Sequence, residues 1–206
     1  MIEKIHWLGH DTFKIEGELL IFTDPYQLKR KDSADLVLIT HEHFDHCSTE
    51  DVRKLIAPKT IVVAPADCVS KLGGKVKTVK VGDSFSVGRV KIEAVPAYNV
   101  NKQFHPKKNG WVGYVITTEG ARVYLAGDTD RIPEMKNLGN IDIALLPVSG
   151  TYVMTAREAA EAALQDIKPT IAVPMHYGSV VGGPQDAEEF RKLLEGKIQV
   201  VIKPLE

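Results

Sequence analysis

Cysteine is nearly absent. Only Cys47 and Cys68 occur in 206 residues, with no C-x-x-C pair, which argues against a disulfide scaffold and a thiolate zinc knuckle. Charge of one sign is missing too: 26 basic and 27 acidic residues leave a formal net charge of −1. No global basic field therefore gathers nucleic acid or an anionic membrane surface. No apolar run approaches the roughly 20 residues that cross a bilayer. The opening MIEKIHWLGHDTFKIE has acids and alternation where a signal peptide needs an apolar core. These absences predict a reduced, cytoplasmic protein with a small-molecule substrate, no nucleic-acid partner and no membrane segment. They leave the oligomeric state open.

What is present is an ordinary globular composition, 44% hydrophobic and 26% charged, in a length that fits one domain, residues 1–206. The first half reads as strands. Residues 2–8 and 12–16 alternate or cluster apolar side chains around Gly9-His10-Asp11, and LLIFTD (19–24) continues the meander. DLVLIT (35–40) is a nearly continuous apolar run, the pattern of a strand buried on both faces. A helix over 49–56, a strand over 60–64 and a helix over 65–72 follow. KTVKV, SFSV and VKIEAV give three short strands within 77–95, and WVGYVITT pairs with ARVYLAGD as a hairpin across Glu119-Gly120.

From there strand and helix alternate: strand 142–148, helix 156–167, strand 170–176, helix 185–195, strand 198–202. The helix over 156–167 opens on a T-x-x-E box, Thr155 with Glu158, and carries a stripe of Ala160, Ala163, Leu164 and Ile167. Each half starts with a meander and ends in strand–helix units. That pattern predicts an α/β protein of two mixed sheets packed face to face, with helices outside.

Residues 40–47, THEHFDHC, crowd His41, His43, Asp45 and His46 into six positions. The two-residue spacing puts His41, His43 and Asp45 on one side of an extended segment. His46 joins them only where the chain turns. Ser48-Thr49 before Glu50-Asp51 supplies a helix cap and an acidic first turn, so a turn is expected there. A zincin helix is excluded, because Asp45 stands where H-E-x-x-H needs its second histidine. Three imidazoles and a carboxylate so close together need a counter-cation or ample water, and a metal site is the prediction. YLAGDTD, with Asp128 and Asp130, and IAVPMHYG, with His176, end strands in the same way. In open α/β proteins that carboxyl edge is where ligands bind. His6 is given no role, and Cys47 is expected to be a buried thiol.

HEHFDH (41–46) resembles the H-x-H-x-D-H signature of the metallo-β-lactamase superfamily. Asp24, closing IFTDP, resembles the aspartate that buttresses the signature loop; AGDTD and PMHYG resemble the segments of the bridging carboxylate and the last histidine. WLGH (7–10), AVPAYN (94–99) and LLPVSGTYVM (145–154) are similar to the branch of ascorbate-phosphate lactonases and N-acyl-phosphatidylethanolamine phospholipases. The resemblance implies a four-layer αββα sandwich and one or two divalent ions, zinc first, with manganese, nickel or iron also fitting. By the same resemblance His41 and His43 hold one ion, Asp45, His46 and His176 the second, and Asp128 both. Many members have a third histidine after the middle strand, where this chain reads Pro96-Ala97-Tyr98-Asn99. Asn99 or Tyr98 falls near that position, and His105 or His10 are the other candidates to complete the site; otherwise it is weak or empty.

Such ions lower the pKa of bound water to about 7. Asp45 or Asp128 would orient that nucleophile and receive its proton. Lys102, Lys107 and Lys108, with His105, make the 99–110 stretch a candidate cationic lip. Ser149-Gly150-Thr151-Tyr152, just before a helix start, is a candidate anion cradle with Tyr152 as a substrate contact. The expected reaction is hydrolysis of a small anionic ester, a phosphodiester or a sugar-phosphate lactone. Alternatives are hydrolysis of a neutral thioester or lactone, and a non-catalytic metal or ligand sensor on the same fold.

Overall fold

A computed structural model describes residues 1–206. The first sheet takes its strands in chain order: β1 (Ile5–Gly9), β2 (Thr12–Glu16), β3 (Leu20–Thr23), β4 (Leu36–Leu38), β5 (Ile61–Ala64) and β6 (Val76–Thr78). Pairing is antiparallel from β1 to β3 and parallel from β3 to β6. The second sheet repeats the plan with β7 (Ser84–Val87), β8 (Val90–Pro96), β9 (Val112–Thr118), β10 (Ala121–Leu125), β11 (Ile143–Pro147), β12 (Ile171–Met175) and β13 (Gln199–Val200). It is antiparallel through β10 and parallel beyond.

Side-chain alternation builds the layers. In β4 and the residue after it, Leu36 and Leu38 face the core shared by both sheets, while Val37 and Ile39 face a second core. That second core includes Val52 and Leu55 of helix α1 (Thr49–Leu55) and Cys68. All four strand side chains are fully buried, each contributing about 1.5–3 kcal/mol of transfer free energy. Helix α2 (Val69–Leu72) lies beside α1, and on the other sheet α3 (Ala156–Glu161) packs on β11 while α4 (Pro184–Leu194) packs on β12. The result is the expected αββα sandwich, the metallo-β-lactamase fold. Tyr114 of β9 ties the sheets together by donating its hydroxyl to the Ile39 carbonyl at 2.7 Å.

Several elements differ in detail. Residues 2–4 form a 3-10 turn rather than strand, the helix over 65–72 splits into a 3-10 turn (Ala66–Cys68) and α2, and the last strand is only two residues long. The capping box forms as read: Thr155 Oγ1 accepts from Glu158 N at 3.1 Å and Glu158 Oε2 accepts from Thr155 N at 2.8 Å. Yet the helix does not stay regular to residue 167. Ala162–Ile167 is a π turn, closed by Lys168 N donating to Ala163 O with Lys168 at φ 54°. Arg131 binds this wide turn, reaching Glu161, Gln165 and Asp166 at 3.0, 2.8 and 2.5 Å. An apolar stripe spaced three and four apart suits both helix types, so periodicity could not separate them.

Candidate metal centre

Strand direction brings the polar residues together. β1, β3, β4, β10 and β12 end at one edge of the sandwich, and there the two sheets exchange main-chain hydrogen bonds. Val112 N donates to Thr40 O at 3.1 Å, and His176 N to His10 O at 3.2 Å. His10, Asp24 and His176 sit just past strand ends with φ of 51°, 35° and 58°. Non-glycine residues rarely adopt that left-handed region, and local strain of this kind clusters at functional sites. The chain turns as expected to bring in His46, but it bends already at 42–43 and does not run extended to Asp45: His46 N and Cys47 N both donate to His43 O, at 3.1 and 2.8 Å. That turn swings His46 in beside His41, His43 and Asp45.

Donor atoms form two adjoining sets. His41, His43 and His105 offer atoms all within 4.8 Å of one another, and so do His10, Asp45, His46 and His176. Asp128 lies between the sets: Oδ2 is 3.1 Å from His105 Nε2 and 3.2 Å from His176 Nε2, and Oδ1 is 3.3 Å from His46 Nε2. All these residues are buried except His43, which is partly exposed.

An oxygen holds the Nδ1 of each of four histidines. His41 Nδ1 meets Thr40 Oγ1 at 2.9 Å, His46 Nδ1 meets Asp24 Oδ2 at 2.8 Å, His105 Nδ1 meets Asn99 Oδ1 at 3.2 Å and His176 Nδ1 meets Ser149 Oγ at 2.8 Å. Thr40 in turn donates both its N–H and its O–H to Asp24, at 2.8 and 2.6 Å. With Nδ1 protonated, each ring presents the lone pair of Nε2 to the centre. His43 Nδ1 then lies 3.1 Å from His41 Nε2 and 3.2 Å from His105 Nε2. Three ring nitrogens converging within 3.1–3.2 Å of His43 Nδ1 are a donor set for a cation. The residues present therefore fit divalent metal, one position rich in imidazole and one mixed.

Burial and neighbouring histidines keep His41 well below the usual imidazole pKa, and burial with His105 lowers His43, so both are neutral donors. Burial is the largest single influence on His46 and His176 and opposes their charge, but the surrounding carboxylates together overcome it and raise both: Asp128, Asp24 and Asp11 for His46, Asp128 and Asp11 for His176. Asp128 is held well below the carboxylate range because His176 and His46 overcome its burial. Burial pushes Asp11 up to about 7 and lowers His10 to about 4.

Every residue of the expected ligand set, His41, His43, Asp45, His46, Asp128 and His176, lies in this one cluster. His105 stands where the third histidine was sought. Asn99 does not take that place but orients His105, and donates its own Nδ2 to Tyr152 O at 2.9 Å. Tyr98 faces away, its hydroxyl donating to Glu134 at 2.8 Å. Lys107 pairs with Glu134 at 2.8 Å and lines a separate cavity of about 490 Å³ beside Tyr98 and Trp111; Lys108 is exposed. Lys102 pairs with buried Asp130 at 2.5 Å. In the 149–152 turn Gly150 N donates to Met154 O and Thr151 N to Ser149 O, both at 3.0 Å. Its tyrosine, Tyr152, packs edge-on against Phe104. Cys47 is buried and free. Sequence reasoning missed Asp11, which reads as part of an ordinary Gly-His-Asp turn, and the backing role of Ser149.

Fold and cluster together define a metallo-hydrolase of two packed sheets. The chain belongs to the β-lactamase superfamily, whose domain signature matches residues 4–176. A UPF0173 metal-dependent hydrolase from Pyrococcus furiosus is 36% identical, the alignment covering 97% of this chain and 95% of the relative; one from Thermococcus kodakarensis is 34% identical over the same shares. Among solved structures, a protein from Parabacteroides distasonis described as a metal-dependent hydrolase shares 38% identity at a TM-score of 0.86, covering 98% and 93% of the two chains. The metallo hydrolase Igni18 from Ignicoccus hospitalis shares 26% at 0.79, covering 98% and 95%. By class, then, the chain is a metal-dependent hydrolase. No helix is long and apolar enough to cross a membrane.

Proposed function

We propose that the cluster at the sandwich edge holds two divalent ions and hydrolyses a small anionic ester, either a phosphodiester or a sugar-phosphate lactone. The observation that carries this reading is the convergence of ring nitrogens from His41, His43 and His105 beside a second set joined to it by Asp128. His41, His43 and His105 would hold one ion, Asp45, His46 and His176 the other, and Asp128 both. Ions there would supply Lewis acidity and lower the pKa of water to about 7. Asp45, the more exposed of Asp45 and Asp128 at 7% against 4%, would orient the attacking water and take its proton. Asp24 and Thr40 keep His46 and His41 in the tautomer that donates. Zinc suits the histidines, and manganese, nickel or iron suits the mixed set. The free, buried cysteines support a reducing, cytoplasmic setting.

A second reading, a neutral thioester or lactone, is favoured by the pairing of Lys102 and Lys107 with acids and by the exposure of Phe44 and Phe104, the chain neighbours of His43 and His105. Metal-stripped protein refilled with zinc or manganese, then assayed on phosphodiesters, lactones and thioesters, tests both. Restored turnover is expected, with phosphonates competing if the ester is anionic. No turnover on any substrate after refilling would favour the sensor.

A further inference from the structure

Gly9, His10 and Asp11 make the turn between β1 and β2, where the strand register slips between Trp7 and Gly9. The turn is driven into the metal centre. Asp11 is 0% and His10 1% exposed, and His10 Nδ1 and both Asp11 oxygens have no hydrogen-bond partner. The chain holds this arrangement firmly. Gly9 and His10 sit at φ 106° and 51°, and the His10 carbonyl accepts from Trp7 Nε1 at 2.9 Å and from His176 N at 3.2 Å.

We propose that this turn adds His10 and Asp11 to the donors of the second metal position. That position becomes higher-coordinate and oxygen-rich, suited to a six-coordinate ion such as manganese(II), beside a three-histidine position suited to zinc. The inference rests on the metal-hydrolase reading above and deepens it. His10 Nε2 is 3.0 Å from Asp45 Oδ2, and its ring centroid lies 4.1 Å from that of His176 and 5.1 Å from that of His46. Asp11 offers an oxygen within 4.8 Å of donor atoms on Asp128 and His176. Neither carboxylate oxygen has a hydrogen-bond partner: His46 Nδ1, 4.0 Å from Asp11 Oδ2, bonds Asp24 instead, and His176 Nδ1 bonds Ser149. A buried carboxylate without a hydrogen-bond donor is costly unless a cation compensates it. His10, His46 and His176 with Asp11, Asp45 and the shared Asp128 make three nitrogens and three carboxylates, the mix that six-coordinate manganese accepts. Three imidazoles and one carboxylate at the other position match tetrahedral zinc.

Manganese binding to metal-stripped protein, read from the paramagnetic signal of free manganese(II), tests this without any substrate. Asp11→Asn and His10→Ala each should weaken manganese binding about 10–100-fold, while zinc at the three-histidine position, removed separately by His43→Ala, is retained. Manganese affinity unchanged in both variants would overturn the proposal. Should either variant fail to fold by circular dichroism, electron spin-echo spectroscopy decides, on wild-type protein whose three-histidine position is filled with zinc and whose second position carries manganese. Coupling to three histidine nitrogens is expected, and coupling to two overturns the role of His10. Failure of every hydrolysis assay with manganese binding intact would remove the hydrolase reading and leave this one standing.

Discussion

Asn99 Oδ1 accepts the main-chain N–H of His105 at 2.9 Å and faces its Nδ1 at 3.2 Å. One amide thus sets both the position and the tautomer of a histidine six residues away. Asn99→Ala should lower zinc affinity at the three-histidine position about 10–100-fold, and His105→Ala should remove one ion per chain. Elemental analysis after dialysis checks both; full metal content in His105→Ala contradicts the assignment.

Asp128 touches histidines of both sets. Asp128→Ala or His176→Ala should reduce bound metal and abolish hydrolysis while the far-ultraviolet circular dichroism stays that of the wild type. Turnover at the wild-type rate in either variant would remove them from the site.

Lys107 is ion-paired and its side chain is 65% exposed, so its loss should cost at most about 1 kcal/mol of stability. Lys107→Ala combined with Lys108→Ala should raise KM for an anionic ester more than for a neutral one. Equal effects on the two would discard the cationic lip and favour the neutral reading.

Tyr114 and the Ile39 carbonyl are both buried where the sheets meet. Tyr114→Phe leaves that carbonyl unpaired and should cost about 1–3 kcal/mol, read as a lower urea midpoint. An unchanged midpoint would show that the cross-sheet bond carries no net stability.

Asp51 accepts from Gln27 N, Leu28 N, Ser48 Oγ and Lys54 Nζ at 2.7–3.0 Å. Burial works to raise its pKa, but these donors outweigh it and hold it below the ordinary value. A depressed folded pKa means the stabilisation is present above the unfolded value of about 3.9 and is lost as pH falls through the folded one. Asp51→Asn should therefore lower the melting temperature near pH 7, with the gap closing below about pH 4. A gap independent of pH would refute the sign.

Local chemistry was legible in the chain itself. The T-x-x-E box, the apolar runs of β4, β10, β11 and β12, and the donors placed after Thr23, Thr40, Ala126 and Met175 all follow from propensity and alternation within a few residues. From these came the layered fold and the metal cluster, while the assignment of six donors came with the family resemblance. Tertiary closure decided the rest. His105 reaches His43 because Asn99 and the contacts of Val100 and Lys102 with Asp130 hold residues 99–105 against the segment that follows β10. Lys107 meets Glu134 across 27 positions, and Asp11 loses its solvent only when β1 and β2 are capped by the strand bearing His176. Spacing along a chain predicts partners that backbone geometry holds together. Partners far apart in sequence are selected by how two sheets pack, and that is a property of the whole folded molecule.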